Sequence, residues 1–359
     1  MKIIYFMKNG FKYIGNHEII SIILASSIFV VTVVLTSKTI FLKKQVNDYD
    51  NYITTIDNKI STEVEYYYSK QIEIEDIKYK RSAIKELANC LSNPYTINEE
   101  LIGLTQELQQ IFNKSNNNFA FKYEDLYTGF SLSYNENQPI FAASTIKAPT
   151  DIYIYQLASE NKTSLEEKIT YTPHYYNTGS GILKNMSFNV AYPISELVKY
   201  SILYSDNAAH NMLIDTYGRG NILNFYQTTL GTKIIFTSYS NWGETTASDA
   251  SAYMKYLYNF YLNNEEYGNE LMTLFINSGY KKIKGKEGQL VASKSGFSGT
   301  VIHDAAIVFS DNPYILVVLT NKGYEDYQSF FNEVSEKISY LHERYWANKI
   351  NECNNIKQY

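Results

Sequence analysis

The sequence predicts an α+β fold of two subdomains, set behind an N-terminal apolar segment and a helical stalk. Three observations predict it. Short apolar runs rich in β-branched and aromatic residues lie toward both ends of the globular part, at Phe119–Tyr123 and Phe130–Tyr134, then at Leu290–Lys294, Ile302–Phe309 and Tyr314–Thr320. Between these two groups, from about Ser144 to Tyr280, the pattern is mainly helical. Helical stripes flank the whole, one through Leu101, Leu104, Leu108 and Ile111, the other through Phe331, Val334, Ile338, Leu341 and Tyr345. Strands distant in sequence but flanked by helices gather into one sheet, and a cleft between the subdomains is a natural place for a site.

Residues 1–18 read as a cytoplasmic N-terminus, with Lys2, Lys8 and Lys12 against the single acid Glu18. The run from Ile19 to Thr36 is uncharged and continues weakly to Leu42 beyond Lys38. It meets the lower length bound for a spanning helix, and residues 19–42 are expected to be a transmembrane anchor. A cleaved signal peptide is the rival reading, but no small-x-small site follows the run. Lys38, Lys43 and Lys44 balance the lysines before the span, so charge does not orient it.

Residues 43–94 are polar and form a helical stalk or linker. Val46, Ile53, Ile60, Tyr67 and Ile74 stand seven apart, as in a short coiled coil that would make a dimer; a solvated single helix fits as well. Asn93-Pro94 marks the boundary to a catalytic domain over 95–350, with a tail at 351–359. Within the domain a helix is expected over Asn98–Phe112, and others over Ile194–Tyr204, Ala208–Tyr217, Ser248–Leu262 with a Ser cap, and Tyr327–Trp346.

Composition narrows the function. The chain has 359 residues and a formal net charge of −5, which gives no sign of a nucleic-acid partner. The five histidines, His17, His174, His210, His303 and His342, show no metal-ligand spacing, and no Cys/His cluster exists. The two cysteines, Cys90 and Cys353, are free thiols or, outside the cell, a pair.

The chemistry centres on Phe141-Ala142-Ala143-Ser144-Thr145-Ile146-Lys147-Ala148-Pro149. A helix beginning near Ser144 puts Ser144 and Lys147 on one face of its first turn. A serine hydroxyl needs an adjacent base to act as a nucleophile, and a lysine serves if burial or a neighbouring cation lowers its pKa. Alone the pair is an ordinary helix start. Two further stretches change its weight: Tyr204-Ser205-Asp206-Asn207-Ala208 at a break between helices, and Ser293-Lys294-Ser295-Gly296 at a strand end. In this order and setting they match the SxxK, SDN and KTG set of class A β-lactamases and penicillin-binding proteins.

From Asn98 to about Trp346 the chain therefore resembles the penicillin-recognising serine enzymes, nearest to class A β-lactamases. Thr178-Gly179-Ser180-Gly181-Ile182-Leu183, Thr245-Thr246-Ala247-Ser248 and His303-Asp304-Ala305-Ala306-Ile307-Val308 also resemble segments of that family. The resemblance implies a five-stranded antiparallel sheet flanked by helices, with an all-helical subdomain over about 144–280. It implies Ser144 as nucleophile, Lys147 as its base, Ser205 as proton relay and Lys294 as the cation that keeps Lys147 neutral. Asn207 would orient the acyl side chain, and Asp206 would pin its turn. Ser295, Gly296 and Phe297 would line the substrate, with the backbone N–H groups of Ser144 and Phe297 as oxyanion hole. Neither metal nor organic cofactor is needed. The substrate implied is a β-lactam or a D-Ala-D-Ala-type cell-wall peptide, which sets the domain outside the cytoplasm. The family's packing of first and last helices also implies a Cys90–Cys353 pair.

Two departures stand out. Ser295 replaces the usual threonine and keeps the hydroxyl. The omega-loop glutamate that activates the deacylating water has no counterpart in Gly231 to Glu244, whose only acid, Glu244, abuts Thr245-Thr246. Three readings stay open: a membrane-anchored acyl-serine hydrolase, a true β-lactamase with its base elsewhere, and a non-catalytic cell-wall or β-lactam-binding module.

Overall fold

The computed structural model describes residues 99–114, 119–237, 241–299, 301–320 and 327–356, with positions 24–27, 29, 32, 35–40 and 42–47 nearer the N-terminus. The chain divides into two units, Met1–Ser69 and Lys70–Tyr359. In the first, the described positions are helical, and the hydroxyls of Thr36 and Thr39 donate to the carbonyls of Thr32 and Leu35 at 2.7 and 2.8 Å. Among the described residues no helix is long and apolar enough to cross a membrane. Much of the anchor expected over 19–42, and nearly all of the stalk over 43–94, lies outside the described residues.

The second unit begins with α1 (Glu99–Lys114), β1 (Phe119–Asp125), β2 (Ser131–Tyr134) and β3 (Ile140–Phe141). A 3-10 turn, Ala143–Ile146, leads into α2 (Lys147–Ser159), then β4 (Lys168–Tyr171), β5 (Val190–Pro193), α3 (Ile194–Leu203), α4 (Asn207–Tyr217) and α5 (Arg219–Asn224). β6 (Ile235–Phe236), β7 (Gly243–Thr245), α6 (Ala247–Asn263) and α7 (Glu265–Ile276) follow, and β8 (Leu290–Ser298), β9 (Val301–Phe309), β10 (Tyr314–Thr320) and α8 (Tyr327–Ile356) close the chain.

One antiparallel sheet gathers the distant strands in the order β2-β1-β10-β9-β8. Every residue of β9 and β10 is buried, because both sheet faces are covered. The two-residue period sorts their side chains: Ile315, Val317 and Leu319 enter the core shared with the helical subdomain, while Leu316 and Val318 enter the core under the terminal helices. There α1 and α8 run antiparallel, tied by Arg344 gripping both oxygens of Glu100 at 2.6 and 2.9 Å and by the Lys337–Glu107 pair. Cys353 near the end of α8 is buried and disulfide-bonded. The one other cysteine in the sequence is Cys90, outside the described residues.

Three details differ from expectation. The stretch 144–280 is not wholly helical: β4 pairs with β5, and β3, β7 and β6 form a small sheet. These strands have two to four residues, too few for a period to show. The cap of α6 is Thr246 rather than a serine, in a capping box with Asp249. Ser144 lies in the 3-10 turn, whose first residue Ala143 has a left-handed φ of 46°, and the α-helix proper starts at Lys147.

Candidate active site

The nucleophile turn is held from three sides. Ala142 donates its N–H to the Gly243 carbonyl at 2.8 Å, and His303 on β9 binds the Phe141 carbonyl at 2.8 Å. The third side is the edge strand β8. A Cβ on Gly296 would stand 3.1 Å from the Ala142 carbonyl oxygen, 3.1 Å from Thr145 Cγ2 and 3.2 Å from Ala143 Cβ, so a larger residue would press β8 away from the turn by a few tenths of an ångström. Pro149 sits in the first turn of α2, where its missing N–H leaves no intrahelical bond unmade.

Lys147 is fully buried and reaches four oxygens: Ser144 Oγ at 3.0 Å, the Ser205 carbonyl at 2.8 Å, Ser205 Oγ at 3.2 Å and Asn207 Oδ1 at 2.7 Å. Burial, and then the Lys294 cation, push its pKa well below the usual lysine range, against Asp151 and Asp206. A neutral amine has two N–H groups and one lone pair. The Ser205 carbonyl and Asn207 Oδ1 only accept, so they take the two N–H groups, and the lone pair is left for a serine hydroxyl. That is the arrangement of a base beside a nucleophile.

Lys294, also buried, donates to Ser205 Oγ at 3.0 Å and to the Ser295 carbonyl at 3.2 Å. Burial lowers its pKa to about 8, with Asp151 and Asp304 holding it up. Ser205 thus bridges two lysines, at a left-handed φ of 51° in the break between α3 and α4. Beside it, Asp206 caps α4: Oδ1 accepts from the N–H groups of Ala208 and Ala209, and Oδ2 from those of Ile182 and Leu183. Gly181 passes so near that a Cβ there would lie 2.2 Å from Asp206 Cγ.

Two adjoining cavities open at Ser144. One of about 240 Å³ is bordered by Asn207, Trp242, Phe141 and Phe297; the other, of about 430 Å³, by Ser205, Ser295, Gly296, Tyr280, Lys184 and Lys282. All the expected site residues converge here, and Asn207 already binds Asn177 Oδ1 through its Nδ2 at 3.2 Å. Glu244 does not converge: it is exposed, paired in the small sheet with Phe141 and Ile235. Trp242 stands over Lys147 instead, its ring centroid 4.7 Å from Nζ, with His210 packed against it at 5.3 Å.

The sequence reading passed over Asp151, one turn after Lys147 and wholly buried, which accepts from Ser201 Oγ at 2.8 Å. Burial pushes its pKa well up, while the Ser201 bond and the two lysines pull it down. An acid four residues beyond the lysine on an otherwise apolar face was the available signal.

The profile of the beta-lactamase enzyme family matches residues 103–341. Among solved structures, the chain is similar in fold to a point mutant of PBP-A, an acyl-enzyme complex with penicillin-G, at 24% identity and a TM-score of 0.62, covering 68% of this chain and 97% of that one. It is similar to a β-lactamase from Sphaerobacter thermophilus at 18% and 0.58, covering 64% and 94%. An ancestral class A β-lactamase compares at 18% and 0.57, covering 66% and 98%. A search of curated proteins returns no match.

Proposed function

The chain belongs to the beta-lactamase enzyme family, and from that premise we propose a membrane-anchored serine hydrolase that forms an acyl-serine with β-lactams or D-Ala-D-Ala-type peptides and releases it slowly. One observation carries the reading: the buried line Ser144 Oγ, Lys147 Nζ, Ser205 Oγ, Lys294 Nζ, with steps of 3.0, 3.2 and 3.0 Å. As Ser144 Oγ attacks the carbonyl carbon, its proton passes to Lys147. Lys147 then donates to Ser205, and Ser205 donates its own proton to the departing nitrogen. Lys294 and Ser295 suit the substrate carboxylate. The uncharged run 19–36 supports an anchor, and the disulfide at Cys353 supports an oxidising, extracytoplasmic setting. Slow release is supported by the Trp242 ring standing over Lys147, by the outward, exposed position of Glu244, and by Asp206 spending both oxygens on backbone N–H groups.

Fluorescent penicillin should label the protein covalently and persistently, with labelling lost in Ser144→Ala and steeply reduced in Lys147→Ala. Glu244→Gln should leave the lifetime of the label unchanged. Undiminished labelling of Ser144→Ala refutes the mechanism, and rapid loss of label by the parent protein returns the chain to the fast β-lactamases. Protease added to wall-stripped cells should remove the domain; protection until lysis would reverse the proposed orientation.

A further inference from the structure

The larger cavity is the leaving-group side of the proposed reaction, since Ser205, which must protonate the departing atom, borders it, whereas Asn207 and Trp242 border the smaller one. Besides Ser205 and Ser295, which stand next to the buried Lys294, its wall carries two cations, Lys184 and Lys282, both half-buried. No acidic residue lines it among the described residues, and neither lysine joins an ion pair there. The chain as a whole has a net charge of −5, so a cationic wall is a local feature.

Both lysines are carried on segments that buried carboxylates fasten. Asp304 Oδ2 accepts the backbone N–H groups of Lys282 and Ile283 at 2.6 and 2.9 Å, and Asp206 Oδ2 does the same for Ile182 and Leu183, just before Lys184. Their side chains are also steadied, Lys184 Nζ on the Gly179 carbonyl at 2.7 Å and Lys282 Nζ over the Tyr327 ring at 5.2 Å. Resting on the acyl-hydrolase reading, we propose that this cavity selects leaving groups with a second carboxylate, held by Lys184 and Lys282 beyond the one at Lys294 and Ser295.

The test compares two N-benzoylglycyl thioesters, of thioglycolate and of mercaptosuccinate, which share the acyl half and differ by one carboxylate. In each, the Ser144 Oγ–acyl bond forms as the C–S bond breaks; the serine proton reaches the departing sulfur through Lys147 and Ser205, and water later frees the acyl group. Thiol release should favour mercaptosuccinate by about five- to tenfold in kcat/KM at low salt, from two partly exposed charge pairs, and by less at about 0.5 M salt. Lys184→Gln and Lys282→Gln should each cut that ratio about two- to threefold, and the double variant should bring it near one. Lys162→Gln, the same charge change on a remote exposed lysine, should leave it unmoved. Calorimetric binding of both esters to Ser144→Ala should keep the preference without turnover. Equal affinities there, or a preference that survives the double variant, overturn the inference; thiol release that persists undiminished in Ser144→Ala overturns the underlying mechanism instead.

Discussion

Replacing Asp206 separates two effects that the fold combines in one carboxylate. Oδ1 caps α4 through Ala208 and Ala209 at 2.9 and 3.0 Å, and Oδ2 holds Ile182 and Leu183 at 2.6 and 2.8 Å. The residue is 1% exposed, so water cannot easily replace it. An N-cap acid removed to alanine costs about 1–2 kcal/mol. The second pair of N–H groups, left unmet, costs about 1–3 kcal/mol each, less where partly exposed Ile182 recovers water. Asp206→Ala should therefore lose about 3–6 kcal/mol, a large share of a typical 5–15 kcal/mol. Asp206→Asn keeps one acceptor but turns an NH2 toward two N–H groups, whichever way the amide is rotated, and should lose about 2–4 kcal/mol. For a domain of this size that lowers Tm by about 4–16 °C. Urea and thermal unfolding followed by circular dichroism, with the disulfide intact, measure both. Penicillin labelling should slow in the Asn variant, because Ser180 and Gly181 in the cavity wall adjoin the loosened segment. An Asn variant as stable as the parent would refute the assignment of energy to the Ile182 and Leu183 bonds.

Acylation should fall on the alkaline side of about pH 8, as Lys294 loses the proton it holds in the folded site; Lys294→Arg should move that limb upward, and a flat profile to about pH 10 counts against the cationic role. Gly296→Ala should wedge β8 from the nucleophile turn, with about 1–3 kcal/mol of overpacking and a larger proportional loss in labelling rate; an unchanged rate would mean the turn yields freely. His303, buried, has its folded pKa lowered to about 4 by burial, from an ordinary 6.5. Its stabilising contribution is complete above about pH 6.5 and shrinks as pH falls toward 4, by about 3 kcal/mol in full. Asp125, Asp151 and Asp304, raised by burial, act in the opposite sense, so the difference between parent and His303→Asn is the quantity to follow. Urea midpoints across about pH 4–7 should fall less steeply in the variant, and parallel curves would exclude the imidazole as the source.

The five strands of the main sheet were legible because each is a continuous or alternating apolar run, and the family resemblance rests on motifs whose residues also make the contacts. β8 reads short in the sequence, ending at Lys294, but runs on to Ser298. Its polar stretch Ser293-Lys294-Ser295 looks like a strand end, yet Ser293 and Lys294 are both buried, Lys294 against Ser205 in the site. The strands of the small sheets were not legible, since so few residues carry no periodicity. Lys184 and Lys282 could not be singled out either. Each is an ordinary lysine, Lys184 in a short 3-10 turn and Lys282 in a loop, and the fastening of their segments to Asp206 and Asp304 accompanies their place at one cavity.

The stretch from Gly231 to Glu244 was legible only as an absence, and the structure supplies what fills the gap. A base for the deacylating water must stand near Ser144 and Lys147 with a free lone pair. Asp206 spends both oxygens on backbone N–H groups, Asp151 is sealed behind Lys147 against Ser201, and Glu244 faces outward. The place beside the Lys147 amine goes to the Trp242 ring, which presents a π-face to it and no proton acceptor. On the proposed reading this ring fills the place without supplying a base that could activate water against the acyl-serine, while the lowered pKa of Lys147 comes from burial and the Lys294 cation. A positioned base typically contributes about 10²–10⁴-fold, so on the proposed reading acylation is expected to outpace release by a factor of that order, which the persistence of the penicillin label measures.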